Sequence, residues 1–414
     1  MNLEKQREII EAFASDCESG DFSKIGRTWS HFFYDLQDAR GVFVVGDSKY
    51  DRPLLPTDSS FATKCKLVGL LKSRQIGLIK DGRSTRPCNY AGYIFADTNF
   101  VSYCNTVYSG KSLGANEDAF YAAGDYLLTK RDSLGAMCYL IENFEQRHHP
   151  QVKNSIKAFA AFKFADTETF RNDRKIRPTI SEERLDEMAT ALIASLETSD
   201  FKTIYEQMKL HYLTSRIALT KIAAIDFGVD ARKSAKNKLL NLFQFFHDEV
   251  ALLPQIEMFA AWQYYEHKSK EPFFKLIQRN ASDLLGGINS MSWDLAHWRN
   301  IMTMVTAGGH LGIGAPFPIP YFLTFDQGFA SLLRQLQLKG IIFLGSGTRY
   351  VAIPDNQNLQ SFSDVVEDAE HLMTSAAIAD RQHRRPADNA NAVHLEQLAQ
   401  LTSQELAAMV SKSN

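Results

Sequence analysis

A-G-Y-I-F-A-D-T-N-F-V-S-Y-C, running from Ala91 to Cys104, is the stretch whose reading decides the fold. Tyr93 to Ala96 is a short apolar run bounded by polar residues, the pattern of a buried strand. It stops on Asp97, so a carboxylate leaves the carboxyl end of a core strand, with Asn99 two residues on, in the turn. In open α/β sheets, sites are built at those strand ends. A carboxylate there is partly desolvated, which is costly unless it is hydrogen-bonded or bound to a cation.

Working outward, three later acids share that description. Leu134 to Ile141 reads as a strand feeding a helix, which would put Glu142 at the helix start, with Glu145 as its rival. Ile288 to Asn300 begins another helix, where Asp294 and His297, three apart, share a face. Tyr321 to Thr324 is a short apolar strand ending on Phe325 and Asp326. Parallel strands would gather these points at one sheet edge. Several carboxylates in one place do not all stay ionised without a cation. Oxygen ligands suit Mg²⁺ or Mn²⁺, ions that activate water and stabilise charge on a phosphodiester.

At these residues the sequence resembles the PIN-domain nucleases. Asp97-Thr98-Asn99 matches the family's aspartate after the first strand, and Leu140-Ile141-Glu142 its second acid. Asp294-Leu-Ala-His297 matches its D-x-x-H helix. Leu323-Thr324-Phe325-Asp326 with Phe329 matches its last strand. The resemblance implies a PIN-like α/β fold, a twisted parallel sheet flanked by helices. It implies metal-dependent phosphodiester hydrolysis, commonly of RNA, with Mg²⁺ or Mn²⁺ as cofactor. Asp97, Glu142, Asp294 and Asp326 would hold the metal, while Asn99 and Thr324 would orient ligands or the attacking water.

The nuclease-like segments are 91–150 and 283–354. Between them, 151–282 carries helical apolar stripes such as Leu239, Leu242, Phe243 and Phe246, an all-α insertion. Residues 1–90 read as an accessory α/β segment and 355–414 as a helical tail docking on the body or a second subunit. The insertion carries basic groups, Arg171, Arg174, Lys175 and Arg177, then Arg232, Lys233, Lys236 and Lys238, then Lys268, Lys270 and Lys275. They read either as a solvated face or as contacts to a phosphate backbone. Trp262, Tyr264 and Tyr265 read as exposed aromatics that could hold nucleic acid.

Across the 414 residues the net charge of −2 gives no global pull toward nucleic acid, so any binding rests on local patches. The five cysteines show no zinc spacing and read as reduced thiols of a cytoplasmic protein. No apolar run is long enough to span a membrane. The expectation is a regulated ribonuclease, a toxin or antiviral effector restrained or activated by a protein partner, possible as a homo-oligomer. The alternatives are a DNA nuclease on the same site, or an inactive nuclease-like scaffold binding protein or RNA.

Overall fold

A computed structural model describes residues 90–267, 271–308, 317–344, 349–354, 359–386 and 388–411 continuously. Before residue 90 it describes 40–45, 60–61, 64–71, 75–80, 85–87 and scattered residues up to 31. The turns expected around Asp47, Asp81 and Gly345, and the positions Lys268 and Lys270, lie outside the described residues. Two compact units result. The first is made of 1–202 and 301–356, the second of 203–300 and 357–414. The break therefore falls near 202, whereas composition suggested a change of character near 150.

The first unit contains the strands. They are β1 (Arg40–Val45), β2 (Ser60–Phe61), β3 (Cys65–Gly69), β4 (Gln75–Lys80), β5 (Thr85–Pro87) and β6 (Tyr90–Ala96). After β6 come α1 (Thr98–Tyr108), α2 (Glu117–Leu128), β7 (Leu134–Gly135) and α3 (Met137–Glu142). Then follow α4 (Pro150–Lys163), α5 (Thr167–Asp173) and α6 (Glu182–Ser195).

The second unit carries most of α7 (Ser199–Phe227), then α8 (Ala235–Phe245), α9 (Gln255–His267) and the first part of α10 (Leu284–Gly308). The chain returns to the first unit for β8 (Phe317–Thr324), α11 (Gln327–Gln335), β9 (Leu338–Leu344) and β10 (Arg349–Pro354). The second unit ends the chain with α12 (Leu359–Asp368), α13 (Ser375–Arg384) and α14 (Asp388–Ser411).

The fold class is mixed α/β. One sheet runs β2-β3-β8-β6-β7, with β8, β6 and β7 parallel and β3 antiparallel to β8. The expected parallel sheet is thus only the β8-β6-β7 side of it. A second sheet, β10-β9-β1-β4-β5, is antiparallel throughout and was not foreseen. The first ninety residues supply strands to both sheets. Leu338 N donates to Leu70 O at 2.9 Å, and Gln337 Nε2 to Gly69 O at 2.9 Å, where β3 ends and β9 begins.

The run Leu134 to Ile141 is not one strand. Only Leu134 and Gly135 pair with β6, and Met137 to Glu142 turn into α3 with Cys138, Tyr139, Leu140 and Ile141 buried. A short apolar run has no period to separate strand from helix, and here burial from several sides favours the helix. Ser181 caps α6 by accepting from Arg184 N, and Thr179 donates its hydroxyl to Phe164 O. The polar stretch after Asp380 is mostly helix, shared between α13 and α14.

The first unit's core is aromatic where α1, α2, α4 and α5 meet. Phe100 lies 5.4 Å from Phe120 and 5.2 Å from Phe162, and Phe162 lies 5.5 Å from Phe170, ring centre to ring centre. Gly124 of α2 leaves room for this cluster, since a Cβ there would stand 2.7 Å from Phe170 Cε1. Alanine favours helices over glycine by about 1 kcal/mol, but overpacking costs about 1–3 kcal/mol. Gly124→Ala is therefore expected to lower stability, with Gly124→Val lowering it further, both measured by urea unfolding. An increase with alanine would show that Phe170 moves aside at no cost.

In the second unit, α9 is apolar on nearly every side, and Trp262, Tyr264 and Tyr265 are buried core residues. This corrects their reading as exposed aromatics. Tail and lobe are joined by ion pairs, Lys209 to Glu396 at 2.6 Å and Lys221 to Glu405 at 3.0 Å. The tail thus docks on the helical lobe. Among the described residues, no helix is long and apolar enough to cross a membrane.

Candidate active site

Parallel pairing of β6 with β8 sets Ala96 opposite Leu323, so both strands end together and Asp97 follows one while Thr324 closes the other. Asp97 N donates to Leu323 O at 3.0 Å, continuing the ladder. The Asp97 side chain then joins the two strand ends. Its Oδ1 accepts from Phe100 N at 2.7 Å, capping α1, and its Oδ2 accepts from Phe325 N at 3.0 Å. The Thr324 hydroxyl is also hydrogen-bonded to it.

Asp97 is 5% exposed. Burial pushes its carboxyl up to about 6, against the lowering effect of those hydrogen bonds, with Glu142 adding a smaller upward push. That cause places Glu142 within electrostatic reach of Asp97. The Thr98 hydroxyl donates to Glu142 Oε1 at 2.6 Å and ties α3 to the start of α1. Glu142 lies at the end of α3, not at a helix start as expected. A helix C-terminus is weakly unfavourable for an anion. Its half-buried carboxylate is held there by Thr98 rather than by a helix dipole.

Asp326 accepts from Phe329 N at 2.9 Å as the cap of α11, and its own N–H donates to the Thr324 hydroxyl at 3.0 Å. Thr324, 1% exposed, thus connects Asp97 and Asp326. Asn99 is exposed on α1. Asp294 lies in the interior of α10, not near its start, and belongs to the second unit, with His297 buried beside it and stacked on Trp293 at 5.7 Å. The first unit therefore brings together Asp97, Glu142, Thr324 and Asp326.

The rim is aromatic and carries a lysine. Tyr103 and Phe325 meet edge to face at 4.9 Å, and Tyr103 accepts from Asn116 Nδ2 at 2.8 Å. Burial, with Asp97 second, pushes the Tyr103 phenol up. Lys66 of β3 stands opposite Thr324 in the strand register. Among the described residues, no cluster of three or more acids, histidines or cysteines is placed to hold a metal ion. Comparison with family models, with curated proteins and with solved structures finds no match.

A divalent ion fits this edge in a restricted way. Each Asp97 oxygen accepts one N–H and the Thr324 hydroxyl takes a third place, so one of the carboxylate's four lone-pair directions remains for a cation. Asp97 with Glu142 is a two-carboxylate donor set. Mg²⁺ accepts one or two carboxylates and keeps several waters, so this pair is a sufficient donor set.

The expected basic surface is largely paired. Arg171 bonds Asp125 at 2.6 Å, Arg174 bonds Asp118 at 2.8 Å and Lys233 bonds Asp230 at 2.9 Å, while Lys236 pairs with Asp368. Lys175 and Arg232 are exposed. Sequence reasoning missed Thr98 as the residue that holds Glu142. Its place between Asp97 and Asn99 was the available signal, since a hydroxyl at the start of a helix can reach a neighbouring acid.

Proposed function

We propose that the chain is a metal-dependent phosphodiester hydrolase, with RNA as its substrate, acting at the shared end of β6 and β8. The observation that carries this reading is Asp97, a nearly buried carboxylate raised to about 6 and placed beside Glu142 at the end of parallel strands. Burial of this kind costs stability, and strongly shifted acids concentrate at functional sites. The PIN-like motif order around Asp97 and Asp326 supports the same reading.

Asp97 and Glu142 would hold Mg²⁺ or Mn²⁺, with Asp326 nearby. Such an ion, when bound, lowers the pKa of a water and offsets negative charge on phosphate. Phe100 N and Phe325 N fix the Asp97 carboxylate from two sides, so it needs no reorientation to meet a cation. Thr98 fixes Glu142 in the same manner. Thr324 holds the strand end between Asp97 and Asp326. Tyr103 and Phe325 offer ring surfaces on which a base of single-stranded nucleic acid could stack. A toxin or antiviral setting and a controlling protein partner belong to the same proposal and rest on the chain's size and its added helical unit.

The test is cleavage of labelled single-stranded RNA and DNA with Mg²⁺, with Mn²⁺ and with EDTA. Wild type should cut RNA only with metal, and Asp97→Ala should lower the rate by at least about 100-fold. Cutting of DNA alone would favour the DNA nuclease reading. No cutting and no metal-induced shift in melting temperature would leave the scaffold reading.

A further inference from the structure

A groove of about 540 Å³ opens between α7 and α14 in the second unit. Clefts of roughly 300–1,000 Å³ are the usual size for small-molecule sites. Its walls include Lys209, Tyr212 and Arg216 from α7, and Gln400, Ser403 and Gln404 from α14. Leu213, Leu285 and Ala407 complete the walls, with Glu396 paired to Lys209, so these polar groups stand in a groove whose surface is mostly apolar.

Arg216 is the residue that sets the chemistry. Lys209 is paired with Glu396, but Arg216 forms no salt bridge among the described residues. Its guanidinium is hydrogen-bonded to the Tyr212 phenol, Nη2 reaches Ser403 Oγ at 3.4 Å, and the buried Nε has no hydrogen-bond partner. Nε and Nη2 form one edge of the guanidinium, the edge that takes two oxygens of a single oxyanion. A buried donor left without an acceptor is destabilising, and an anion entering the groove would relieve it once the guanidinium turns outward.

The same α7 wall carries an aromatic ring. Tyr212 stacks on Trp293 with ring centres 4.3 Å apart and planes 21° from parallel, which holds the tyrosine ring rigid at the groove. Gln400 and Gln404, four apart on one face of α14, each offer a donor and an acceptor. Cation, rigid ring and paired amides together match a phosphate attached to a planar, hydrogen-bonding ring.

We infer that this groove binds a mononucleotide-sized phosphate ester, with its phosphate on the Arg216 edge beside Ser403 and its ring against Tyr212 and the glutamine amides. The site lies in the second unit and does not depend on the hydrolase reading.

Isothermal titration of the full chain in EDTA, with AMP, GMP, CMP, UMP and inorganic phosphate, tests it. At least one mononucleotide should bind with Kd of about 100 μM or tighter, about tenfold tighter than inorganic phosphate. Arg216→Gln should weaken that binding by at least about tenfold, and Asp97→Ala should leave it unchanged. The double variant Ser403→Ala with Gln404→Ala, on the other wall, should also weaken it and decides the matter if Arg216→Gln fails to fold. The inference is overturned by absence of mononucleotide binding, by phosphate binding as tightly as any mononucleotide, or by unchanged affinity in the folded variants. Loss confined to Asp97→Ala would place the bound nucleotide at the strand edge and overturn it as well.

Discussion

In EDTA at neutral pH, Asp97→Asn is expected to be more stable than wild type, while losing both metal response and cleavage. The sign follows from the raised carboxyl. An unfolded aspartate titrates near 3.8, and in the fold Asp97 is pushed up to about 6. The folded chain therefore binds the proton more tightly, and protonation favours the fold. That contribution is fully present below about pH 4 and is lost as pH rises through 6, a total of about 3 kcal/mol. Asparagine mimics the protonated acid and removes this loss. Its amide faces one of the two N–H groups that Asp97 accepts, so part of the gain is given back. Urea unfolding at pH 4.5 and pH 7.5 checks the argument. Wild type in EDTA should weaken between the two, and Asp97→Asn should change less. Added Mg²⁺ or Mn²⁺ should restore wild type alone, since a bound cation compensates a charge that the variant lacks. Equal pH dependence in both proteins would show that Asp97 ionisation is not what strains the strand edge.

The second large effect is expected at Lys238, which is 2% exposed. The sequence places Lys238 in a surface cluster with Arg232, Lys233 and Lys236, but it is buried on α8, which corrects that reading. Its ammonium pairs with Asp226, which also accepts from Tyr264 Oη at 3.0 Å. The pair is removed from water, so neither charge has solvent to fall back on. Lys238→Met leaves Asp226 without its counter-ion and should cost about 3–5 kcal/mol. The double variant Lys238→Met with Asp226→Asn should recover most of that loss, because the uncompensated charge is gone. Urea unfolding of the single variants and the double variant provides the cycle. If the double variant is as weak as Lys238→Met, the loss lies in packing of the lysine stem and not in charge.

How much of this was legible beforehand depended on the range of the cause. The Tyr93–Ala96 run and the acid at its end are local facts, and the strand is there. So is the strand ending at Thr324, because four apolar residues before a helix cap leave few alternatives. The pairing of β6 with β8, and of β1 with β9, is decided by contacts between distant segments that leave no local pattern. The same holds for Asp294. A D-x-x-H spacing fixes which residues share a helix face but not which unit the helix serves. Glu142 was displaced by a local ambiguity, since Leu134 to Ile141 is too short to show a period. Trp262, Tyr264 and Tyr265 looked exposed because aromatic and polar residues alternate around them. Their burial comes from contacts with distant segments, Tyr265 Oη to Ile222 O on α7 at 3.4 Å and the Tyr264 ring against Phe274.

The Asp97–Phe325 hydrogen bond joins positions 228 residues apart in the chain. During synthesis the Asp97 carboxylate is made early, but the N–H that fixes its second oxygen arrives only after the whole helical segment has been translated. A growing or prematurely ended chain lacking β8 has no second strand against which to complete this edge. The assembled carboxylate clamp is therefore a property of a chain extended past β8, and a fragment abandoned before it is born without the clamp.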